Sequence, residues 1–304
     1  MGRKLDAREY KLLLNPQIFS QAPNLQAANA FWDRRILQIV RIADPQARPF
    51  DDDGWRLIRF WDTANRDLSD NDLILRTRQD TKSDFAASRI RKATLKLRMP
   101  DQFIVATAWL AKSEGEEAGN VETKFEEDIG PLEVLARPPG EQPKVVTPLK
   151  LSTRNRFSLS SGIDLTPNDP LDRFDHVVAL FPGVAELVSV SAEQSDLNLA
   201  GGPLIHEYVF KGSEVALVEG AKAKFTLSIW CFDAPLKQPD VAEMSFVIKT
   251  DNGKMSGRVA RQAYNLFNSF QDSLSDIIDQ DHTSKTSLAL PDRGSSLVVT
   301  LPVQ

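Results

Sequence analysis

Cysteine occurs once in the 304 residues, at Cys231, and histidine only three times. A single thiol excludes an intrachain disulfide and any cysteine-rich zinc centre. His176, His206 and His282 are scattered and no Gly-x-Ser-x-Gly elbow accompanies them, so they receive no catalytic role. Cys231 itself, between Trp230 and Phe232, reads as a buried inert thiol. No apolar run approaches the length that crosses a bilayer, and the start, Met1 to Asp6, is polar where a secretion signal needs an apolar centre. These absences predict a cytoplasmic protein with no membrane partner. An excess of one charge is missing too: Lys+Arg 37 against Asp+Glu 42 gives a net charge of -5, which argues against a nucleic-acid coat.

What the chain has is the composition of a globular protein, with 41% hydrophobic residues, enough for a sizeable core. Most of its periodicity is that of strands. Two stretches differ: Asn24 to Val40 carries Leu25, Ala28, Phe31, Trp32, Ile36 and Ile39 at helical spacing, and Arg261 to Ile278 carries Ala263, Leu266, Phe267, Phe270, Leu274 and Ile277. Between them, turn signals such as Asp51-Asp52-Asp53-Gly54, Gly201-Gly202-Pro203 and Asp251-Asn252-Gly253 separate the strands. The fold class expected is mainly β (α+β), a closed antiparallel barrel with flanking helices. Prolines 138, 139, 143 and 148 mark an extended connection, and Ser296 to Val303 is a candidate edge strand.

Alternate residues of a strand share a face, and reading every second position gives an unusual result. Glu9 and Lys11 share a face, as do Arg76 and Arg78, Lys96 and Arg98, Lys124, Glu126 and Asp128, Arg154 and Arg156, Lys222 and Lys224, and Glu243 with Ser245. The intervening positions are largely apolar. A solvated sheet face is the plainer account. Against it, basic pairs at i and i+2 recur on separate strands while other strands contribute acids. Strands closed into a barrel would turn these faces into a polar lumen. Such a lumen suits a polyphosphate chain, which needs several Arg and Lys donors along its length. The few carboxylates would hold Mg2+ or Mn2+, whose oxygen preference removes any need for His or Cys. The basic run Arg89 to Arg98 is the one nucleic-acid candidate, and alternation puts only part of it on one face.

These residues resemble the CYTH or triphosphate tunnel metalloenzyme superfamily. Phe60-Trp61-Asp62-Thr63 followed by Leu68, Asp72 and Leu75-Arg76-Thr77-Arg78 is similar to the family's Y-x-D-T and R-x-R element. Thr94 to Arg98 resembles its next basic strand, Lys124 to Asp128 its acidic strand, Thr153 to Arg156 a further R-x-R strand, and Val241 to Phe246 the terminal acidic strand. The resemblance implies a single tunnel domain over residues 1–279, with insertions at about 15–55 and 131–150 and a loosely ordered tail over 280–304. It also implies a metal-dependent hydrolase of an inorganic or small organic triphosphate. In that reading Lys11 and Glu126 are catalytic, Glu9, Glu126, Asp128 and Glu243 bind the metal, and Lys11, Arg76, Arg78, Lys96, Arg98, Lys124, Arg154, Arg156 and Lys224 bind phosphate.

The chain departs from the family at two points. The opening E-x-E-x-K signature has Ala7 at its first Glu position, and Ser245 stands where the terminal strand commonly has a second Glu. Both departures remove metal-binding carboxylates, so the expected turnover is slow or absent. The alternative is a polyphosphate- or nucleotide-binding protein of the same fold without catalysis. A nucleotidyl cyclase ranks lower for want of a nucleobase pocket, and a scaffold that merely retains the fold would have no use for a basic lumen.

Overall fold

The computed structural model describes residues 2–82, 85–86, 90–111, 121–131, 153–188, 197–279 and 284–291. Its strands are β1 (Ala7–Leu14), β2 (Asp52–Thr63), β3 (Leu73–Thr81), β4 (Arg91–Met99), β5 (Glu122–Pro131), β6 (Thr153–Leu165), β7 (Leu199–Gly201), β8 (Ile205–Lys211), β9 (Glu214–Ala216), β10 (Lys222–Phe232) and β11 (Val241–Lys249). The helices are α1 (Leu25–Phe31), α2 (Leu37–Val40), α3 (Gln102–Thr107), α4 (Phe174–Leu180), α5 (Val184–Leu187), α6 (Gly257–Ser273) and α7 (Lys285–Ala289). None of the described helices is long and apolar enough to cross a membrane.

The strands follow the order β11-β1-β5-β6-β4-β3-β2-β8-β10, and β10 pairs back to β11, which closes a nine-strand ring. This is the closed tunnel that the resemblance to the CYTH superfamily implied. One pairing departs from the antiparallel expectation. Strand β1 runs parallel to β5, with Glu9 opposite Asp128. A parallel neighbour requires a long crossover, and here β2, β3 and β4 lie between the two strands in the chain.

Alternation divides each strand between two environments. Tyr10, Leu12, Leu227, Ile229, Met244, Phe246 and Ile248 face outward and are covered by α1, α2 and α6, which supply Phe31, Ile39, Leu266, Phe267 and Phe270. Cys231 lies in this cluster, fully buried, and burial pushes its thiol up to about 11. On the opposite side Leu75, Leu95, Leu97, Phe125 and Leu159 are covered by Val105, Ala106, Phe174, Val177 and Val184 from α3, α4 and α5. Each large side chain so buried contributes about 1.5–3 kcal/mol, and these two outer clusters are what allow the inner face to be polar.

The helices differ from the expected bounds. The first is interrupted: Asn24 caps it by accepting from the Ala27 amide, and a π-turn over Trp32–Ile36 separates α1 from α2. The second begins earlier, at Gly257, because the Ser256 hydroxyl accepts from the Val259 amide, and it ends at Ser273, leaving Leu274 and Ile277 buried beyond it. Asp52 to Gly54 extends β2 rather than forming a turn, held by Lys211, Phe210 and Val209 of β8. Asn252 and Gly253 do form one, both at positive φ. Within the stretch expected to be loose, Lys285–Ala289 is helical and Ala289 is buried. The proline-rich connection and the candidate strand at 296–303 lie outside the described residues.

Asp62 shows why the Trp61-Asp62-Thr63 segment takes the form it does. Its buried carboxylate accepts from the amides of Thr63, Leu68 and Ser69, closing the β2–β3 connection. Removing this acceptor leaves buried donors unsatisfied. Asp62→Ala is expected to cost about 3 kcal/mol in urea unfolding and Asp62→Asn distinctly less. Equal losses in the two variants would show that the backbone bonds are not what the carboxylate contributes.

Candidate functional site: the barrel lumen

The inward positions of the ring carry the charges that alternation singled out. At their centre, the Lys11 ammonium lies 2.7 Å from Glu9 and 2.8 Å from Asp128. Asp128 also accepts from Arg98, at 2.6 Å from Nη2 and 2.8 Å from Nε. Burial alone would lower the Lys11 pKa, but Asp128 and Glu9 outweigh it and raise it. Burial likewise opposes ionisation of Asp128, and Lys11, Lys96 and Arg98 together hold its carboxyl well below the usual range. This cluster is therefore closely paired.

Two cations next to it are not paired. Arg76 and Lys96 have no carboxylate within ion-pair distance among the described residues, and the buried Nε of Arg76 has no hydrogen-bond partner. Burial lowers the pKa of both, Glu207 only partly compensating for Arg76 and Asp128 for Lys96. Glu126 is the counterpart on the acidic side. Among the described residues no cation bonds it, and burial raises its pKa against the pull of Lys96. Its neighbour across the β1–β5 pair is Ala7, and the neighbour of Lys11 across the β1–β11 pair is Ser245. Both departures from the family pattern thus face the lumen.

The other expected residues lie beside this cluster or toward the rim. Arg156 is opposite Asp128 and Arg154 opposite Gly130. Burial pushes Arg154 down to about 10, with repulsion from Arg156 and Arg98 in the same direction. Arg78 is 3.7 Å from Asp80. Lys124 and Lys224 are more than half exposed at the rim and bonded to Glu122 and Glu214 at 2.7 and 2.8 Å. The basic run is split as alternation requires: Lys92, Lys96 and Arg98 face inward, whereas Arg91 donates outside the ring to the Asp169 carbonyl, and Arg89 lies outside the described residues.

One side of the lumen is apolar. Leu13, Ile58, Phe60, Ile205, Trp230 and Val241 pack inside the ring with Ala289, and Leu288 and Leu290 lie against them, so α7 and its flank cap this plug. Gly202 is required by the close approach of α7, since any side chain there would overlap the Ala289 carbonyl. At the edge of the plug, Lys285 Nζ is 2.6 Å from Glu243 and 4.8 Å from the Trp230 ring centre. Beside it Glu207 accepts from Ser228 at 2.8 Å, Trp230 at 2.9 Å and Arg56 at 3.2 Å. Arg56, Glu207 and Lys285 were not among the sequence candidates. Arg56 carried a usable signal, alternating with Ile58 and Phe60. Glu207 has only apolar Ile205 and Val209 beside it on its strand face, and Lys285 had no such signal.

As arranged, these carboxylates do not fit a divalent ion. No three His, Cys, Asp or Glu side chains among the described residues form a metal-holding group. Glu9, Asp128 and Glu243 already bond fixed cations, which leaves Glu126 alone. Single carboxylates do not fix the near-octahedral geometry that magnesium demands.

No family model matches the sequence, and no curated protein does. Among solved structures, a Hippeastrum protein described as an adenylyl cyclase with a dominant triphosphatase activity is 11% identical, with 91% of this chain and 93% of that chain covered and a TM-score of 0.42. A Bacillus halodurans protein described as an adenylate cyclase is 11% identical, covering 95% and 98%, with a TM-score of 0.39. A Pyrococcus horikoshii protein is 10% identical, covering 90% and 95%, with a TM-score of 0.31. The closure of the barrel and the charge of its lining stand on the strand pairings alone.

Glu207 gives the lumen a signature in acid. Burial would raise its pKa, but Lys285, Arg56, Trp230 and Ser228 hold it down at about 2, below the ordinary 4.5. A depressed carboxylate contributes stability above its unfolded pKa and loses it as pH falls through the folded one. The contribution is roughly 3 kcal/mol, present above pH 4.5 and lost between there and pH 2. Glu207→Gln is expected to lower stability at neutral pH and to flatten this acid limb in chemical unfolding followed against pH. An acid limb unchanged by the substitution would assign the loss to other groups.

Proposed function

We propose that this protein binds a linear triphosphate or short polyphosphate in the lumen. What carries the reading is that Arg76 and Lys96, both half-buried on the inward face, have no carboxylate within ion-pair distance among the described residues, and that the Arg76 Nε is buried without a hydrogen-bond partner. A charge drawn out of water without a bonded counter-ion is costly, and a barrel that retains two of them on the inward faces of the paired strands β3 and β4 is prepared for an anion. Arg78 and Arg98 extend the basic surface on the same strands and Arg154 and Arg156 on the neighbouring β6, and guanidinium groups can donate in pairs to phosphate oxygens. Lys124 and Lys224 at the rim are placed to attract the ligand rather than to enclose it.

Hydrolysis is the enzyme reading, and Glu126 is the observation that favours it. It is the one carboxylate of the central cluster without a bonded cation, and Lys96 and Lys11 are close enough to act on its charge. There it would take a proton from an attacking water while the terminal P–O bridge breaks, giving phosphate and diphosphate. Ala7 and Ser245 deprive the site of further carboxylates, so turnover is expected to be slow.

Tripolyphosphate should raise the melting temperature, with a stabilisation of about 2.7 kcal/mol at a hundred times Kd. Lys96→Met and Arg76→Met should each abolish most of this shift while raising the melting temperature of the unliganded protein, because each removes a half-buried charge that its neighbours only partly compensate. That opposite pair of signs distinguishes a binding role from a structural one. A shift that survives in the double variant would place the anion elsewhere. Phosphate release that is absent from wild type and Glu126→Gln alike, with binding intact, would leave a binder.

A further inference from the structure

We propose that the lumen takes its anion without a divalent metal, because Lys11, Arg98 and Lys285 are built in as counter-ions to the carboxylates that would otherwise hold one. The proposal rests on the triphosphate-binding reading and goes beyond it in naming the ligand's charge state: the free polyanion rather than its metal complex.

Glu9 and Asp128 sit directly opposite each other on parallel strands, and the space between them is filled by one ammonium, 2.7 Å from the first and 2.8 Å from the second. Arg98 takes the far oxygen of Asp128. A divalent ion entering here would have to displace Lys11 and would then stand among Lys11, Lys96 and Arg98 with too few carboxylates to offset them. The two positions from which a further carboxylate would face this space hold Ala7 and Ser245.

Glu243 is neutralised independently, by a residue from outside the ring. Lys285 is 22% exposed, and its ammonium is held between the Glu243 carboxylate and the face of Trp230. Leu288, Ala289 and Leu290 pack into the inner apolar cluster, so the position of Lys285 is set by the docking of α7 rather than by a solvated side chain. The anchor matters: a free lysine would exchange with solvent cations, whereas one fixed by an apolar plug competes with them at high local concentration. Once these pairs are made, Arg76 and Lys96 still lack carboxylates within ion-pair distance among the described residues, and Glu126 is the one carboxylate of the central cluster left without a bonded cation. A phosphate ligand would supply the bonded counter-ion that Glu207 and Asp128 only partly replace.

The test is calorimetric titration of the full chain with tripolyphosphate, in EDTA and in excess Mg2+. Binding in EDTA at least as tight as in Mg2+ is expected, since magnesium lowers the charge of the free ligand. Binding tighter by an order of magnitude or more in Mg2+ would overturn the proposal and leave the triphosphate reading standing. Binding in neither buffer would remove the triphosphate reading, and manganese EPR on the unliganded protein then decides the metal question. No stoichiometric Mn2+ supports the built-in counter-ions; stoichiometric Mn2+ overturns them. The role of Lys285 is read separately from melting temperatures. Lys285→Met should lower the melting temperature by leaving Glu243 unpaired and by removing a charge that acts on Glu207, and adding Glu243→Gln should restore the part that belongs to Glu243. A double variant as unstable as the single one would overturn the counter-ion assignment.

Discussion

A strand places every second side chain on one face, and closing nine strands into a ring gathers those faces into one interior. The rest of the structure follows from that constraint. Charges that would be separately solvated on an open sheet are brought within a few ångströms of one another and away from water. Each must then be paired, neutralised or compensated by a ligand. Lys11, Glu9, Asp128 and Arg98 take the first course, and burial moves Glu126 toward the second. Burial acts on Arg76 and Lys96 in the same sense, but neither has a carboxylate within ion-pair distance among the described residues, and the functional reading rests on that missing pair.

The lumen is not uniform around its circumference, and this asymmetry makes the charges consequential. One side is filled by Leu13, Ile58, Phe60, Ile205, Trp230 and Val241. Packing at this density narrows the polar space and lowers its dielectric, strengthening every remaining interaction in it. Glu207 lies at the boundary and shows the effect: Arg56, Ser228 and Trp230 all bond it, so a carboxylate at an apolar edge stays ionised. Lys285 brings the C-terminal helix into the same network. Plug, counter-ion and barrel wall are therefore one packing unit.

How much of this the sequence disclosed follows from the range of the interactions. The lumen-facing pairs Arg76/Arg78, Lys96/Arg98 and Glu126/Asp128 were legible because strand alternation is local. The burial of Cys231 was legible from its two aromatic neighbours. What depends on partners far along the chain was not. That Lys11 bonds Asp128, 117 residues away, required the parallel β1–β5 register, which no local pattern announces. Lys124 and Lys224 alternate correctly yet lie at the rim, because alternation gives the face and not the depth. Lys285 was invisible, since its stretch reads as polar tail and only α7's docking gives it a partner. The same limit applies to helix ends: the caps at Asn24 and Ser256 are local signals, while the π-turn at Trp32 answers to packing against Phe50 and Phe225.

The measurement that tests the central claim most directly is a crystal structure of the protein grown with tripolyphosphate in the presence of EDTA. The account predicts phosphate density inside the ring, with donors from Arg76 and Lys96 within hydrogen-bond distance and Lys11 still bonded to Glu9 and Asp128. Density confined to the outer surface, or a ring whose Arg76 and Lys96 remain without an anion, would contradict it.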